Sequence, residues 1–134
     1  MVFTPDMESA SHRNFQAAQT LHSNQHRHAA GYLYGLAAEC AIKAMMLQAG
    51  IPVRPQDERG DDPYYAHFPN LKTILRENMQ GRRASGALAR FINDDRFFSQ
   101  WDIKVRYCKN DQVSSGWIEM WREQASQAVS SIGS

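Results

Sequence analysis

The chain has 134 residues, a formal net charge of +1, 43% hydrophobic residues and 22% charged residues. This length and composition predict one globular domain, residues 1–134, and exclude a disordered tail or a mini-protein that depends on disulfides. The chain starts without a basic and apolar leader, and no window approaches the roughly 18 uncharged apolar residues of a membrane span. We therefore expect a cytoplasmic protein without a membrane segment.

The first predicted helix begins near Thr4, a candidate N-cap residue that is followed by Pro5 and by acidic residues in the first turn. Apolar residues at helical spacing, among them Met7, Phe15 and Leu21, extend this helix to about residue 24. One side of the helix is expected to face the core.

The second predicted helix, from about Gln25 to Ala49, contains no proline and has apolar residues around most of its circumference. This pattern is typical of the most buried helix in a bundle. Gly50 is expected to end the helix as the residue after its C-cap. Gly31 and Gly35 lie four residues apart, which predicts a face that another helix backbone approaches closely.

Proline and glycine residues between positions 51 and 69 exclude a continuous helix and predict a long connection, of a kind that is often functional or mobile. Asn70 is expected to cap a short third helix. The apolar face of this third helix consists of Leu71, Ile74, Leu75 and Met79. A fourth helix is predicted from about Arg82 to Asp94.

Residues 95–113 alternate in polarity, but no second strand is available to pair with them, so we interpret them as loop and short helix. The last helix is predicted to begin at Ser114 or Ser115. Together these elements predict an all-α domain of four to five helices with essentially no sheet.

Positive charge is concentrated in residues 72–109, which carry nine lysine or arginine residues against four acidic ones. Such an excess attracts phosphates if the charges share one face, and otherwise it is ordinary solvated surface charge. Within it, Trp101, Lys104, Arg106, Tyr107 and Lys109 combine rings that stack on bases with cations that neutralise phosphates. The alternative is that Trp101 and Tyr107 are core residues.

Two further sets of polar residues lie on or near the second predicted helix. Glu39 and Lys43 are four residues apart and form either an ordinary surface ion pair or part of a site, since charged residues are rarely buried without a partner. His22, His26 and His28 suggest zinc ligands, but no cysteine nearby completes a tetrahedral set. We expect a polar helix junction there, with no metal site and no cofactor.

The segment from Ala29 to Met46, with small and apolar residues around Glu39 and Lys43, resembles the second helix of HEPN domains. Residues 67–75 resemble the segment that leads into the third helix of that family, and residues 101–107 resemble the segment that carries its functional arginine. The resemblance implies an up-and-down helical bundle that forms homodimers. It also implies a role in toxin–antitoxin or defence systems, or beside a nucleotidyltransferase.

The HEPN ribonucleases share an Arg-x4-6-His motif, and this chain departs from it. No histidine follows Arg106, and Asp111 stands where the motif would place one. An ionised carboxylate there puts negative charge beside a scissile phosphate, so we expect no catalytic residue and favour a binding module over an enzyme.

The leading hypothesis is a non-catalytic or degenerate HEPN-like module that binds RNA, a nucleotide or a protein partner through the Arg106 region. One alternative is a metal-independent endoribonuclease in which Asp111 or His67 replaces the missing base, and convergence of His67 with Arg106 would favour it. Another is a structural partner of a nucleotidyltransferase. The candidate ligand-binding residues are Arg106, Tyr107, Lys109, Lys104, Glu39, Lys43 and Asp111.

Overall fold

The computed structural model describes residues 4–51, 63–78 and 86–133. These residues form five α-helices and three short 3-10 helices, and they contain no strand. The expectation of an all-α chain is confirmed at this level. The α-helices are α1 (Met7–Ser23), α2 (Arg27–Gln48), α3 (Asn70–Asn78), α4 (Gly86–Ile92) and α5 (Ser115–Ser130), and the 3-10 helices are Pro63–Tyr65, Ile103–Tyr107 and Asn110–Gln112.

The N-cap residue of α1 is Asp6, so the predicted cap at Thr4 is wrong. The Asp6 carboxylate accepts hydrogen bonds from the Ser9 backbone N–H at 3.0 Å and from the Ser9 hydroxyl at 2.9 Å. These bonds lower the pKa of Asp6. An aspartate at this position satisfies a donor that the first turn leaves without an intrahelical partner, and Thr4 and Pro5 therefore lie outside the helix.

A residue in the left-handed region follows the C-cap of each of the helices α1 and α2. Gly50 follows α2 with φ of 79°, and its N–H donates to the Leu47 carbonyl at 3.1 Å, which confirms the predicted stop. After α1 the corresponding residue is Gln25, with φ of 69°, and the His26 N–H donates to the Leu21 carbonyl at 2.8 Å. Each end has the same pair of backbone hydrogen bonds: Gln25 also donates to the His22 carbonyl at 3.2 Å, and Ile51 donates to the Met46 carbonyl at 3.1 Å. Only glycine adopts the left-handed conformation without steric cost.

Helix α2 is the most buried element, and α1, α5 and the 3-10 helix Ile103–Tyr107 pack against it. Gly31 and Gly35 make room for indole rings and not for a helix backbone, contrary to the expectation from their spacing. A Cβ atom at Gly35 would overlap the Trp101 ring, and one at Gly31 would lie 3.1 Å from Cζ3 of Trp121. The Trp101 indole N–H also donates to the Gly31 carbonyl at 3.1 Å.

Helix α3 includes Asn70 as its first residue, so the predicted capping role of Asn70 is wrong; the Leu71 N–H already donates to the His67 carbonyl at 2.9 Å. Leu71 and Leu75 are buried as expected. Met79 lies outside the described residues, as do residues 52–62 of the long connection. Helix α4 is shorter than predicted in its described part, since Ile92 is its last residue and residues 82–85 are not described.

Residues 95–113 consist of turns and 3-10 helices, as expected, and they bring aromatic rings into the core. Phe68 stacks on Phe98 with ring centroids 5.4 Å apart, and it meets Phe97 and Trp101 edge-on at 5.5 Å and 6.3 Å. Ser114 caps α5 by accepting a hydrogen bond from the Trp117 N–H at 3.1 Å, which confirms the predicted start. No helix in the described parts of the chain has the length and apolar character needed to cross a membrane.

Candidate functional site

One row of residues along α2 combines polar side chains with Gly35. His28, Tyr32, Gly35, Glu39 and Lys43 recur at steps of three or four, so they lie in one row along the helix. We call this row the α2 polar face. The chain around residues 101–110 contacts its first half, and the chain around residues 67–68 contacts Glu39 in its second half.

Arg106 lies between two tyrosine rings at the first half of this face. Its Cζ atom is 5.4 Å from the ring centroid of Tyr32 and 5.5 Å from that of Tyr107. Tyr32 in turn stacks on the buried Trp101 ring, with centroids 6.3 Å apart and an interplanar angle of 17°. These four side chains form a continuous column from the core to the surface, which we call the Arg106 column.

The outer end of the Arg106 column is open to solvent. Tyr107 is 79% exposed, and Arg106 is exposed as well. Within the part of the chain that the structure describes, Arg106 takes part in none of the ion pairs. Its guanidinium has five N–H donors in a planar fork, so this group is available to an anion from solution.

The short segment that displays Arg106 and Tyr107 is held by backbone and side-chain hydrogen bonds. The Asp102 carboxylate accepts from the Lys104 N–H at 2.8 Å, and the Gln112 side chain accepts from the Lys109 N–H at 3.0 Å. His28 Nε2 lies 2.8 Å from the Asn110 carbonyl oxygen. Because a carbonyl only accepts, Nε2 carries the proton there and ties this segment to α2.

The side chains of Lys104 and Lys109 are exposed on the same segment as Arg106, and they add two positive charges to the neighbourhood of the column. Asp111 is also exposed, in the 3-10 helix Asn110–Gln112, but no described contact joins it to Arg106. The position that the ribonuclease motif reserves for histidine is therefore not brought against the arginine.

Glu39, at the second half of the α2 polar face, is a buried carboxylate with only 2% exposure. One of its oxygens accepts from the Phe68 backbone N–H at 2.7 Å, and the other lies 2.9 Å from His67 Nδ1. Burial raises the pKa of Glu39, and the hydrogen bonds from His67 and Phe68 together with the charge of Lys43 oppose that rise. The His67 side chain is 47% exposed, and no described hydrogen bond engages its other ring nitrogen, Nε2.

Glu39 and Arg106 share no described contact, so the candidate ligand-binding residues do not form one cluster in the described part of the chain. Tyr32 and Glu39 are seven residues apart, which is about 10 Å along a helix axis. The contact between Phe68 and Trp101 lies between the two ends. Lys43 is buried on the same row, beside Glu39.

Much of the positive charge of residues 72–109 is structural and does not form one patch. The buried Lys72 ammonium donates to the carbonyls of Asp94 at 2.5 Å and Phe97 at 2.9 Å, and burial lowers the pKa of Lys72. Arg76 donates to the Ile92 carbonyl at 2.8 Å and pairs with Asp95. Arg82 and Arg83 lie outside the described residues. Arg90 donates to the Ser131 hydroxyl at 3.2 Å. The exposed cations of this segment that have no described ion pair or side-chain hydrogen bond are Arg96, Lys104, Arg106 and Lys109.

The three histidines near the α1–α2 junction have separate environments. His22 Nδ1 lies 3.0 Å from the hydroxyl of Tyr34, and its Nε2 lies 3.0 Å from the Glu119 carboxylate, beside a cleft of about 250 Å³. His26 is the exposed N-cap residue of α2, and His28 is hydrogen-bonded to the Asn110 carbonyl. In the described ranges no group of three or more histidine, cysteine, aspartate or glutamate side chains is arranged to hold a metal ion.

Sequence reasoning missed Tyr32 and gave His67 only an alternative role. The signal for Tyr32 was present, since it lies seven residues before Glu39 and therefore on the same helix face. No signal within the local sequence connects His67 to Glu39, because the pair is 28 residues apart.

Comparison with known proteins identifies no relative. No protein-family model, no curated protein and no solved structure matches this chain. Function is therefore inferred from the chemistry of the α2 polar face.

Proposed function

We propose that this chain is a non-catalytic, HEPN-like module that binds RNA or a nucleotide through the Arg106 column. The observation that carries this proposal is the exposed Arg106 guanidinium between the rings of Tyr32 and Tyr107, without an acidic partner in the described residues. The resemblance of residues 29–46, 67–75 and 101–107 to HEPN domains and the five described α-helices support the family part of the proposal.

A nucleotide joins a flat ring to an anion, and the Arg106 column offers a partner for each. The exposed Tyr107 ring can stack on a base, a contact that contributes about 1–3 kcal/mol. The guanidinium fork of Arg106 can donate two parallel hydrogen bonds to a phosphate. Lys104 and Lys109 add electrostatic attraction that does not depend on base identity. An acidic protein partner would use the cations but would leave Tyr107 without a ring to stack on.

The same geometry supports binding without cleavage. A general base must lie within hydrogen-bond reach of the 2′-hydroxyl beside the phosphate that it activates. Asp111 has no described contact with Arg106, and His67 is bound to Glu39 at the other half of the α2 polar face. The convergence of His67 with Arg106 that would favour an endoribonuclease is not found in the described contacts.

The family resemblance is also the support for two wider parts of the proposal. HEPN domains commonly dimerise, so we propose a homodimer. Their association with toxin–antitoxin and defence systems, and with nucleotidyltransferases, supports the same setting for this chain. A molecular mass in solution equal to that of the monomer at micromolar concentration would contradict the dimer.

Binding is tested by fluorescence anisotropy with a labelled 12-nucleotide oligouridylate. Arg106→Ala is expected to weaken binding by at least about tenfold, because charge-assisted hydrogen bonds contribute about 1.5–3 kcal/mol. Arg106→Lys should be intermediate, since it restores the charge but not the fork. The control is Arg13→Ala, which removes the same charge from an exposed position on α1. Equal affinity of Arg106→Ala and the unsubstituted protein would refute the proposed site.

Cleavage is tested separately with an end-labelled RNA and analysis on a denaturing gel. The unsubstituted protein is expected to produce no more product than Arg106→Ala. Cleavage that disappears in Arg106→Ala at unchanged Tm would instead establish the endoribonuclease and reject the non-catalytic assignment.

A further inference from the structure

His67 has an arrangement that the proposed function does not use. Its Nδ1 atom is held by the buried Glu39 carboxylate at 2.9 Å, and almost half of its side chain is exposed. The other Glu39 oxygen is fixed by the Phe68 N–H, so the carboxylate cannot turn freely. The orientation of the imidazole is thereby set from inside the protein, as it is for histidines whose outer nitrogen has a function.

Hydrogen-bond chemistry assigns a role to each ring nitrogen. An ionised carboxylate accepts only, so the proton of neutral His67 lies on Nδ1. The outer nitrogen, Nε2, is then a lone-pair acceptor without a described hydrogen-bond partner, on a side chain that is 47% exposed. A ribose 2′-hydroxyl is a donor of the right kind for this atom, whereas deoxyribose has no such group.

We propose that His67 is a second contact on the same ligand, where it accepts a hydrogen bond from a ribose 2′-hydroxyl and selects single-stranded RNA over DNA. This inference rests on the proposed function of the Arg106 column. Tyr32 beneath Arg106 and Glu39 beneath His67 are about 10 Å apart along α2. The phosphate and base of one nucleotide that occupies the column do not extend that far beyond it. The ligand is therefore an oligonucleotide of at least two residues.

The test compares a 12-nucleotide oligouridylate with the oligodeoxyuridylate of the same length at pH 8, where imidazole groups are ordinarily neutral. The unsubstituted protein is expected to bind RNA about fivefold more tightly than DNA, which is the effect of one hydrogen bond of about 1 kcal/mol. Arg106→Ala should weaken the binding of both oligonucleotides by a similar factor.

His67→Asn is the informative variant, because its amide nitrogen can still donate to Glu39 while the outer acceptor is removed. It should bind RNA and DNA with the same affinity as the unsubstituted protein binds DNA, and its affinity for uridine monophosphate should be unchanged. His67→Ala should behave in the same way wherever it remains folded. His12→Ala, at an exposed position on α1, is the control and should retain the RNA preference.

The outcomes separate this inference from the function on which it rests. If Arg106→Ala weakens both oligonucleotides but His67→Asn retains the RNA preference, the inference is wrong and the proposed function stands. Equal affinity of the unsubstituted protein for RNA and DNA also refutes the inference alone. If Arg106→Ala binds both oligonucleotides normally, the proposed function fails and the inference fails with it.

Discussion

The two halves of the α2 polar face differ in whether the charged group found there is buried or exposed. At one end Glu39 is buried, and both of its oxygens are engaged by His67 and Phe68. At the other end Arg106 is exposed, and its contacts within the described residues are with aromatic rings and not with an acid. The hydrogen bonds of the buried carboxylate fix residues 67 and 68 against α2, whereas the exposed guanidinium remains available to a ligand.

This difference shows why burial alone is a poor guide to a binding residue in this helix. Glu39 is the more unusual residue by position, since carboxylates are rarely buried. Its hydrogen bonds nevertheless account for it as the group that fixes the chain before α3. Tyr32, which lies on the same row and is only partly buried, is the residue through which α2 supports the exposed arginine.

The largest expected effect comes from removing the buried carboxylate. Glu39→Ala leaves the Phe68 N–H without its acceptor and opens a cavity, so we expect a loss of about 3 kcal/mol in the free energy of unfolding. Glu39→Gln should change it by less than about 1 kcal/mol, because the amide oxygen accepts from the Phe68 N–H and the amide nitrogen donates to His67 Nδ1 once the imidazole proton has moved to Nε2. Urea denaturation followed by circular dichroism measures both variants. Similar losses in the two variants would mean that the charge itself is required.

A substitution between the two halves should have the next largest effect. Gly35→Ala forces a Cβ atom into the Trp101 ring, and overpacking of this kind destabilises by about 1–3 kcal/mol. Gly31→Ala is the matched control, since its Cβ atom would lie at 3.1 Å from Trp121 and a small shift of the ring relieves the contact. Because Trp101 supports Tyr32, Gly35→Ala should also weaken oligouridylate binding. Equal stability of the two alanine variants would contradict the close packing of the Trp101 ring against Gly35.

Elements defined by local signals were predictable from the sequence. The proline-free apolar pattern of α2, the stop at Gly50 and the serine cap of α5 all depend on residues within one or two helical turns. The cap of α1 was misplaced because Thr4 and Asp6 are both good capping residues, and only the hydrogen bonds to Ser9 distinguish them. Propensity ranks such neighbours too closely to choose between them.

The candidate site was less predictable because its contacts connect distant parts of the chain. Arg106, Tyr107, Lys104 and Lys109 were chosen because cations and an aromatic ring occur together in this segment, and the side chains of all four are exposed in the structure. The partners of Gly31 and Gly35 were not identified, because they are distant in the chain. Trp101, which packs on Gly35 and donates to the Gly31 carbonyl, lies 70 residues after Gly31, and Trp121, which packs on Gly31, lies farther still. The pairing of Glu39 with His67 likewise needs the tertiary fold.

The smallest expected effect is a pH dependence at the buried end of the α2 polar face. Burial raises the pKa of Glu39 above its ordinary value of 4.5, so the Glu39 carboxyl group binds a proton more tightly in the folded state than in the unfolded state. The contribution of this proton to the free energy of unfolding is complete at a pH below the pKa that Glu39 has in the unfolded state. It is lost as the pH rises through the pKa that Glu39 has in the folded state. The free energy of unfolding of the unsubstituted protein should therefore increase relative to that of Glu39→Gln as the pH is lowered from 7 toward 4.5. Urea denaturation of both proteins across this range measures the difference. A difference that moves in the opposite direction would show that the hydrogen bonds from His67 and Phe68 and the charge of Lys43 outweigh burial, which would make Glu39 a net stabilising charge at neutral pH.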